Sequence, residues 1–330
     1  MNQKDITDKI LLDYNDVFAD VVNVCVYNGK EVVNPRDLRN TAVHAQYKAD
    51  DGTLHELERD VAKYWKKSRA TIAMYGIENQ SSVDKYMPFR IIGYDGASYR
   101  SQLLVLEENR KKNKTSEKGV RMRKIVPVAS IVLYFGTKRH WPQKKSIKEL
   151  MQIPEGLEEF VNDYKIKVIE IAWLTDEQLK KFKSDFGIVA NFFVQRRKNK
   201  NYIPDDEREL KHVDAVLKLL SVMTGDNRYK EVLYNPVSGE KEEVKNMCEV
   251  ADRLVTKGKE VGLREGKAVG LREGEERGRA MEIIVSGLEE KKTKTDILEK
   301  LQKRLDVTSK KAEAYFEMYG KENFKVEKGL

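Results

Sequence analysis

Apolar and polar positions along the chain sort into two periodicities, one helical and one extended. Near the start, in DYNDVFADVVNVCVYNGK, Val17, Phe18, Val21, Val22 and Cys25 recur at helical spacing, and Gly29 stands where that helix would stop. A short turn begins at Pro35. AQYKADDGTLHELERDVAKYW has strand character, with ADDGT as the turn between two strands. KKSRA forms a second turn, and TIAMYGIE reads as the next strand. From about Pro88 to Lys112 the chain, including YDGASYRSQLLVLEENRKK, is helical in character and ends in basic residues. KIVPVASIVLYFG and IKVIEIAWL are apolar enough for strands buried on both faces of a sheet. Helix, three strands, long helix, strand, connection, strand is the order of an α/β domain with a mixed central sheet flanked by helices.

The pattern changes near residue 200, where QRRKNKNYIPDDERE brings charge and Pro204. This divides the chain into a domain over 1–200 and a helical extension over 201–256. In the extension, LKHVDAVLKLLSVMTG reads as an amphipathic helix closed by Gly225. Residues 257–280 then place a glycine at every fourth position, from Gly258 through Gly262, Gly266, Gly270 and Gly274 to Gly278. Each glycine inside a helix costs about 1 kcal/mol relative to alanine, yet KEV, LRE and KAV between them are good helix formers. Close approach of a second helix along the glycine stripe, with Val261, Leu263, Val269 and Leu271 beside it, would offset that cost, so the segment predicts a homo-oligomer contact. A flexible charged linker is the other reading. The last stretch, 281–330, reads as two short helices broken at DVTS, with Ile297, Leu298, Leu301, Leu305, Ala312, Ala314, Tyr315 and Phe316 on their apolar faces.

Composition alters this picture little. The 330 residues carry a net charge of +8, which permits an acidic partner such as nucleic acid without requiring one. Cys25 and Cys248 are too few for a disulfide framework, and His44, His55, His140 and His212 lack the spacing of a zinc site. The polar start MNQKDITDKILLDYND and the lack of a long apolar run predict a cytoplasmic protein outside the membrane. No pattern for a small-molecule cofactor is present.

The chemistry concentrates where TIAMYGI runs into ENQ. A hairpin turning near residues 68 and 69 pairs Tyr64 with Met74, Ala62 with Gly76 and Asp60 with Glu78. Directly opposed residues of an antiparallel pair share a face, and side chains alternate with period two. Asp60, Glu78 and Gln80 therefore converge at one end of one face, where Gly76 opposite Ala62 leaves room. Two carboxylates so placed need a cation between them or a raised pKa on one. Oxygen donors of this kind suit Mg²⁺, or Mn²⁺, which activates water and stabilises charge on a phosphate. Solvated strand ends paired with Arg59 or Arg90 are the bland alternative.

The pattern D-x(17)-E-x-Q, with the glutamate closing an apolar strand, resembles the D…(D/E)-x-K/Q signature of the PD-(D/E)xK nucleases. IENQSSVDKYMPFRIIGYD, NDVFADVVNVCVYNGKEVVNPRDL and VPVASIVLYFGTKRHW are similar to the Rpn-type, transposase-like branch of that superfamily, and a glycine-periodic tail is a common companion there. The resemblance covers roughly residues 10 to 200. It implies a restriction-endonuclease-like fold, a metal-dependent DNA endonuclease linked to recombination or transposition, metal ligation by Asp60 and Glu78, and Gln80 in place of the usual lysine. That replacement removes a cation, so a catalytically inactive DNA-binding or assembly protein on the nuclease fold is the alternative. Asp16 lies where such folds often place a further acid, with Asp20 equally available in the same helix and a solvated helix residue as the bland reading of either. Asp84 and Arg90 stand in the turn and helix start after the strand, as supporting residues or simply as an ion pair. For DNA, Lys111, Lys112, Arg139, Arg196 and Arg197 in the basic runs could neutralise phosphates, and Trp141 and Tyr202 could stack on a base.

Overall fold

A computed structural model of the protein describes residues 11–41, 44–48, 54–67, 70–113, 124–232 and 244–326. The chain forms two compact units, one ending at Leu254 and one beginning at Val255. In the first, helix α1 (Asn15–Cys25) precedes strand β1 (Leu38–Asn40), the hairpin β2 (His44–Lys48) and β3 (Leu54–Glu58), and the strands β4 (Val61–Lys67) and β5 (Ala70–Gln80). The long helix α2 (Met87–Asn113) leads to β6 (Val128–Tyr134), followed by β7 (Lys167–Glu170), α3 (Asp176–Leu179), α4 (Asp185–Lys198), α5 (Val213–Thr224) and α6 (Arg228–Glu231). Five strands make one open mixed sheet in the order β1-β4-β5-β6-β7. β1, β4 and β5 are antiparallel, whereas β5, β6 and β7 are parallel, because the crossover through α2 returns the chain in its original direction.

Alternation along the central strands builds a different layer on each face. Tyr75 and Ile77 of β5 and Ile131 and Leu133 of β6 pack with Phe18 and Val22 of α1 and Phe186 and Val189 of α4. On the other face, Val132 and Tyr134 meet Met87, Ile91 and Tyr94 of α2, with Trp141 and Ile166. Helix α1 ends before Asn28 and Gly29, both at positive φ, where the sequence placed its stop. Helix α5 is closed by left-handed Gly225, and its Ala215, Val216, Leu217, Leu219 and Leu220 join the same core as α1. That core continues through Val244, Met247 and Val250, so much of the 201–256 segment packs with the sheet.

Three strand expectations change. The single strand expected over LHELERDVAKYW is broken at Arg59 and Asp60, whose side chains are both buried in polar contacts. IKVIEIAWL supplies only four strand residues before a 3-10 turn at Ile171–Trp173. As β7 pairs on one side only, it is partly exposed rather than buried on both faces. Leu38–Asn40, unpredicted, closes the opposite edge. The ADDGT turn, residues 68–69 and the stretch 114–123 lie outside the described residues.

Helix α7 (Met247–Glu289) contains the whole glycine series. At Gly258, Gly262, Gly266, Gly270, Gly274 and Gly278 an added Cβ would meet open space, and Val261, Leu263, Val269 and Leu271 are exposed. The second unit is held by Ala280, Ile283 and Ile284 of α7 packing with Ile297 and Leu301 of α8 (Lys294–Leu305) and Ala312 and Tyr315 of α9 (Ser309–Val326). Thr293 and Asp296 form a capping box at the start of α8.

Candidate active site

The β4–β5 register is the one read from the hairpin: Ala62 opposes Gly76 and Tyr64 opposes Met74, with a bulge between Trp65 and Lys66 near the turn. Asp60 follows as a bend just outside β4, with Glu78 across from it. The Asp60 backbone N–H donates to Glu78 Oε2 at 3.4 Å, and the Asn79 backbone N–H donates to Asp60 Oδ2 at 2.6 Å. Gln80 Nε2 reaches Glu78 Oε1 at 3.4 Å. Asp60 and Glu78 are both buried, Glu78 to 1% exposure. Burial and the neighbouring Asp60 charge push the Glu78 carboxyl up to about 8 against the pull of Arg90. An acid pair thus sits at one end of the sheet face covered by α2.

Arginine enters this site from two sides. Arg90, in the first turn of α2, donates from Nη2 to Glu78 Oε1 at 2.6 Å and from Nη1 to Asp84 Oδ2 at 3.2 Å. The Tyr94 hydroxyl, one turn on, accepts from Arg90 Nη2 at 3.0 Å, and Asp84 also accepts from the Tyr86 N–H at 2.8 Å to hold the turn. Arg59 lies across Gly76, where an added Cβ would fall 2.1 Å from its Nη1. The room expected beside the acids is therefore filled by a guanidinium. Asp95 of α2 pairs with Arg59 and accepts from Tyr164 and, at 2.5 Å, from Ser130. Arg59 Nη1 is buried without a hydrogen-bond partner. Arg59 was expected only as a partner for the strand-end acids, and it pairs instead with Asp95, which was not singled out in the sequence; the available signal for Asp95 was an acid on the apolar face that α2 forms with Met87, Ile91 and Tyr94.

Residues 64–218 match the model of a family described as "Putative transposase, YhgA-like". No curated protein and no solved structure gives a significant match. The YhgA-like segment contains Glu78, Gln80, Asp84, Arg90 and Asp95, and it begins just after Asp60.

Within this fold the remaining predicted residues separate. Asp16 is carried by α1, which packs on the opposite sheet face, and its carboxylate meets His212 Nε2 at 3.0 Å. Burial raises the Asp16 pKa, but the His212 hydrogen bond and charge, with backbone donors, outweigh it and leave the carboxyl below its ordinary range. Arg139 is exposed, Arg196 lies over Phe192 and Arg197 over Trp173. Lys111 and Lys112 fall in the last turn of α2, with side chains outside the described residues. Trp141 is buried edge-on against Tyr134, which removes it as a stacking surface; Tyr202 is half-buried and bonded to Asp205.

Among the described residues no group of three or more His, Cys, Asp and Glu is placed to hold a metal ion. The donor chemistry of the Asp60–Glu78 pair still fits Mg²⁺: two mutually repelling, largely buried carboxylates, of the sort that bind this ion with water filling the other positions. Among the described residues no helix is long and apolar enough to cross a membrane.

Proposed function

We propose that the protein is a metal-dependent DNA endonuclease of restriction-endonuclease-like fold, acting in transposition or recombination. The observation that carries this reading is the meeting of Asp60 and Glu78 across β4 and β5 with Gln80 on the same carboxylate. The similarity of residues 64–218 to the putative transposase, YhgA-like model supports a DNA substrate and a transposition-related role. Asp60 and Glu78 would hold Mg²⁺ or Mn²⁺, which when bound supplies an activated water and charge neutralisation at the scissile phosphate. Gln80 orients the attacking water through its amide. Arg90, 38% exposed, exchanges Glu78 for a phosphate oxygen and supplies the cation that the glutamine lacks. A new P–O bond forms from water as the bond to the leaving oxygen breaks. Residues 257–280 pair with a second copy, and the protein works in the cytoplasm.

A second reading has its own support. The Arg90–Glu78 ion pair already satisfies the acid without a metal, which suits an inactive nuclease fold that binds or assembles on DNA. Cleavage of plasmid and single-stranded DNA with Mg²⁺, Mn²⁺ or EDTA decides between them. The endonuclease reading expects cleavage with metal only, and a loss of at least about a hundredfold in Glu78→Ala. Cleavage that survives EDTA or the substitution would overturn it, and no cleavage under any condition favours the second reading.

A further inference from the structure

The parallel register aligns Gln80 of β5 with Tyr134 of β6, and Tyr134 with Glu170 of β7. Residues in register on adjacent parallel strands face the same way, so these three form a row on the face that carries Glu78. Two strand spacings separate Gln80 from Glu170, roughly 10 Å. The row lies at the carboxyl ends of the parallel strands, where open α/β sheets bind their ligands.

After β6 the chain turns back under firm control. The Tyr134 hydroxyl donates to the Arg139 carbonyl at 3.1 Å, and its ring fills the space that a Cβ on Gly136 would need. The turn exposes Lys138, Arg139 and His140 at the Glu170 end of the row. His140 Nδ1 bonds Glu170 Oε2 at 2.6 Å, and the imidazole stacks on Trp173 with ring centroids 3.6 Å apart. The Trp173 indole N–H donates to the Gly136 carbonyl at 3.2 Å. The Arg197 guanidinium lies 4.4 Å from the Trp173 ring, while its Nε donates to the Ala172 carbonyl at 2.7 Å. Glu170 is only 19% exposed, so its charge is turned to the histidine, whereas His140 is 64% exposed. With Nδ1 held by the carboxylate, Nε2 and much of the ring are offered to an outside partner. An oriented ring with a guanidinium beside it is the combination that grips unpaired nucleotides: bases stack, and cations meet the backbone.

We propose that His140 and Arg197, arranged about Trp173, together with exposed Arg139 next to His140 in the chain, form a subsite for single-stranded nucleic acid, His140 stacking on a base while the arginines meet backbone phosphate. The subsite lies at the β7 end of the row, two strands from the β5 strand that carries Glu78. Its position relative to the cut rests on the endonuclease reading; its binding chemistry does not.

The test uses the full chain in EDTA with a short fluorescein-labelled oligothymidylate, followed by anisotropy. His140→Ala should weaken binding about tenfold, and His140→Phe, which keeps an aromatic ring at this exposed position, should retain most of the affinity. The oligonucleotide should quench tryptophan fluorescence in the wild type and not in Trp173→Phe. Wild type that binds no oligonucleotide, or His140→Ala that binds within about twofold of wild type, overturns the subsite. So does a His140→Phe chain that is folded by circular dichroism but as weak as His140→Ala. Cleavage separates the two readings. If the wild type cuts nothing yet His140→Ala loses affinity, the endonuclease reading falls and the subsite stands. If cutting depends on Glu78 but His140→Ala changes neither Kd nor KM, the subsite alone falls.

Discussion

A methyl group on Gly76 would lie 2.1 Å from Arg59 Nη1 and 2.6 Å from its central carbon, and Arg59 has little freedom to yield because Asp95 holds it under α2. Gly76→Ala should therefore destabilise the first unit by about 1–3 kcal/mol, the usual cost of overpacking, read as a lower midpoint in thermal or urea denaturation. Since Arg59 precedes Asp60, the endonuclease reading expects the same substitution to reduce cleavage as well; an unchanged midpoint would show that the guanidinium is mobile. At Asp16 the prediction concerns pH. Its carboxyl is lowered from 3.8 in the folded chain, so it contributes stability above that value, and the contribution disappears as pH falls through the folded pKa. Asp16→Asn should cost below about 1 kcal/mol near neutrality, because the group is 40% exposed and its pairing is screened. The melting curves of mutant and wild type should converge in acid, and a gap that widens there would contradict the assignment.

Helix α7 presents a different problem, one of an element whose middle glycines meet no other side chain among the described residues. Six glycines with open space at every Cβ position weaken the helix, with no compensating packing at them among the described residues. Replacing Gly262, Gly266 and Gly270 by alanine should raise helix stability by up to about 1 kcal/mol per site. If two copies pair along the stripe, the added methyl groups hold the backbones apart, and sedimentation should report a lower mass for the triple mutant than for wild type. A wild-type chain that sediments as a monomer at all concentrations removes the pairing proposal, and the expected gain in helix stability remains to be measured separately.

At the scale of the molecule, the extent of the first core sets where the chain can be cut. Leu210, Leu217, Leu220, Val244, Met247 and Val250 are buried in the cluster that also contains Phe18 and Ile77. Each such side chain contributes about 1.5–3 kcal/mol by burial, so losing all six removes roughly 9–18 kcal/mol, comparable to the whole typical stability of about 5–15 kcal/mol for a domain. A chain ending at residue 200 should therefore fail to unfold cooperatively, whereas one ending after Leu254 should give a single cooperative transition. The opposite ranking in circular dichroism melts would place the core boundary elsewhere. The second unit has its own small core around Ile284, Ile297 and Leu301, which accounts for the break at Leu254.

Local pattern was enough for much of this. Period two in VAKYW and TIAMYGIENQ, joined by a short turn, determines a register in which Ala62 meets Gly76, and from it follows the approach of Asp60 to Glu78. Helical spacing from Val17 to Cys25 with Gly29 beyond determines α1 and its end. These features depend on neighbours a few residues away, or across one hairpin, so the sequence records them directly. What it could not record are contacts between elements whose separation along the chain carries no signal. Arg59 finds Asp95 and Arg90 finds Glu78 only when α2 is laid on the sheet. Glu170 joins the row of Gln80 only through the parallel register of three strands. The burial that broke the strand at Asp60 and hid Trp141 follows likewise from the far layer of the fold. The sequence by itself determined which carboxylates would meet; the tertiary structure decided which cations stand over them, because those cations are delivered by packing rather than by periodicity.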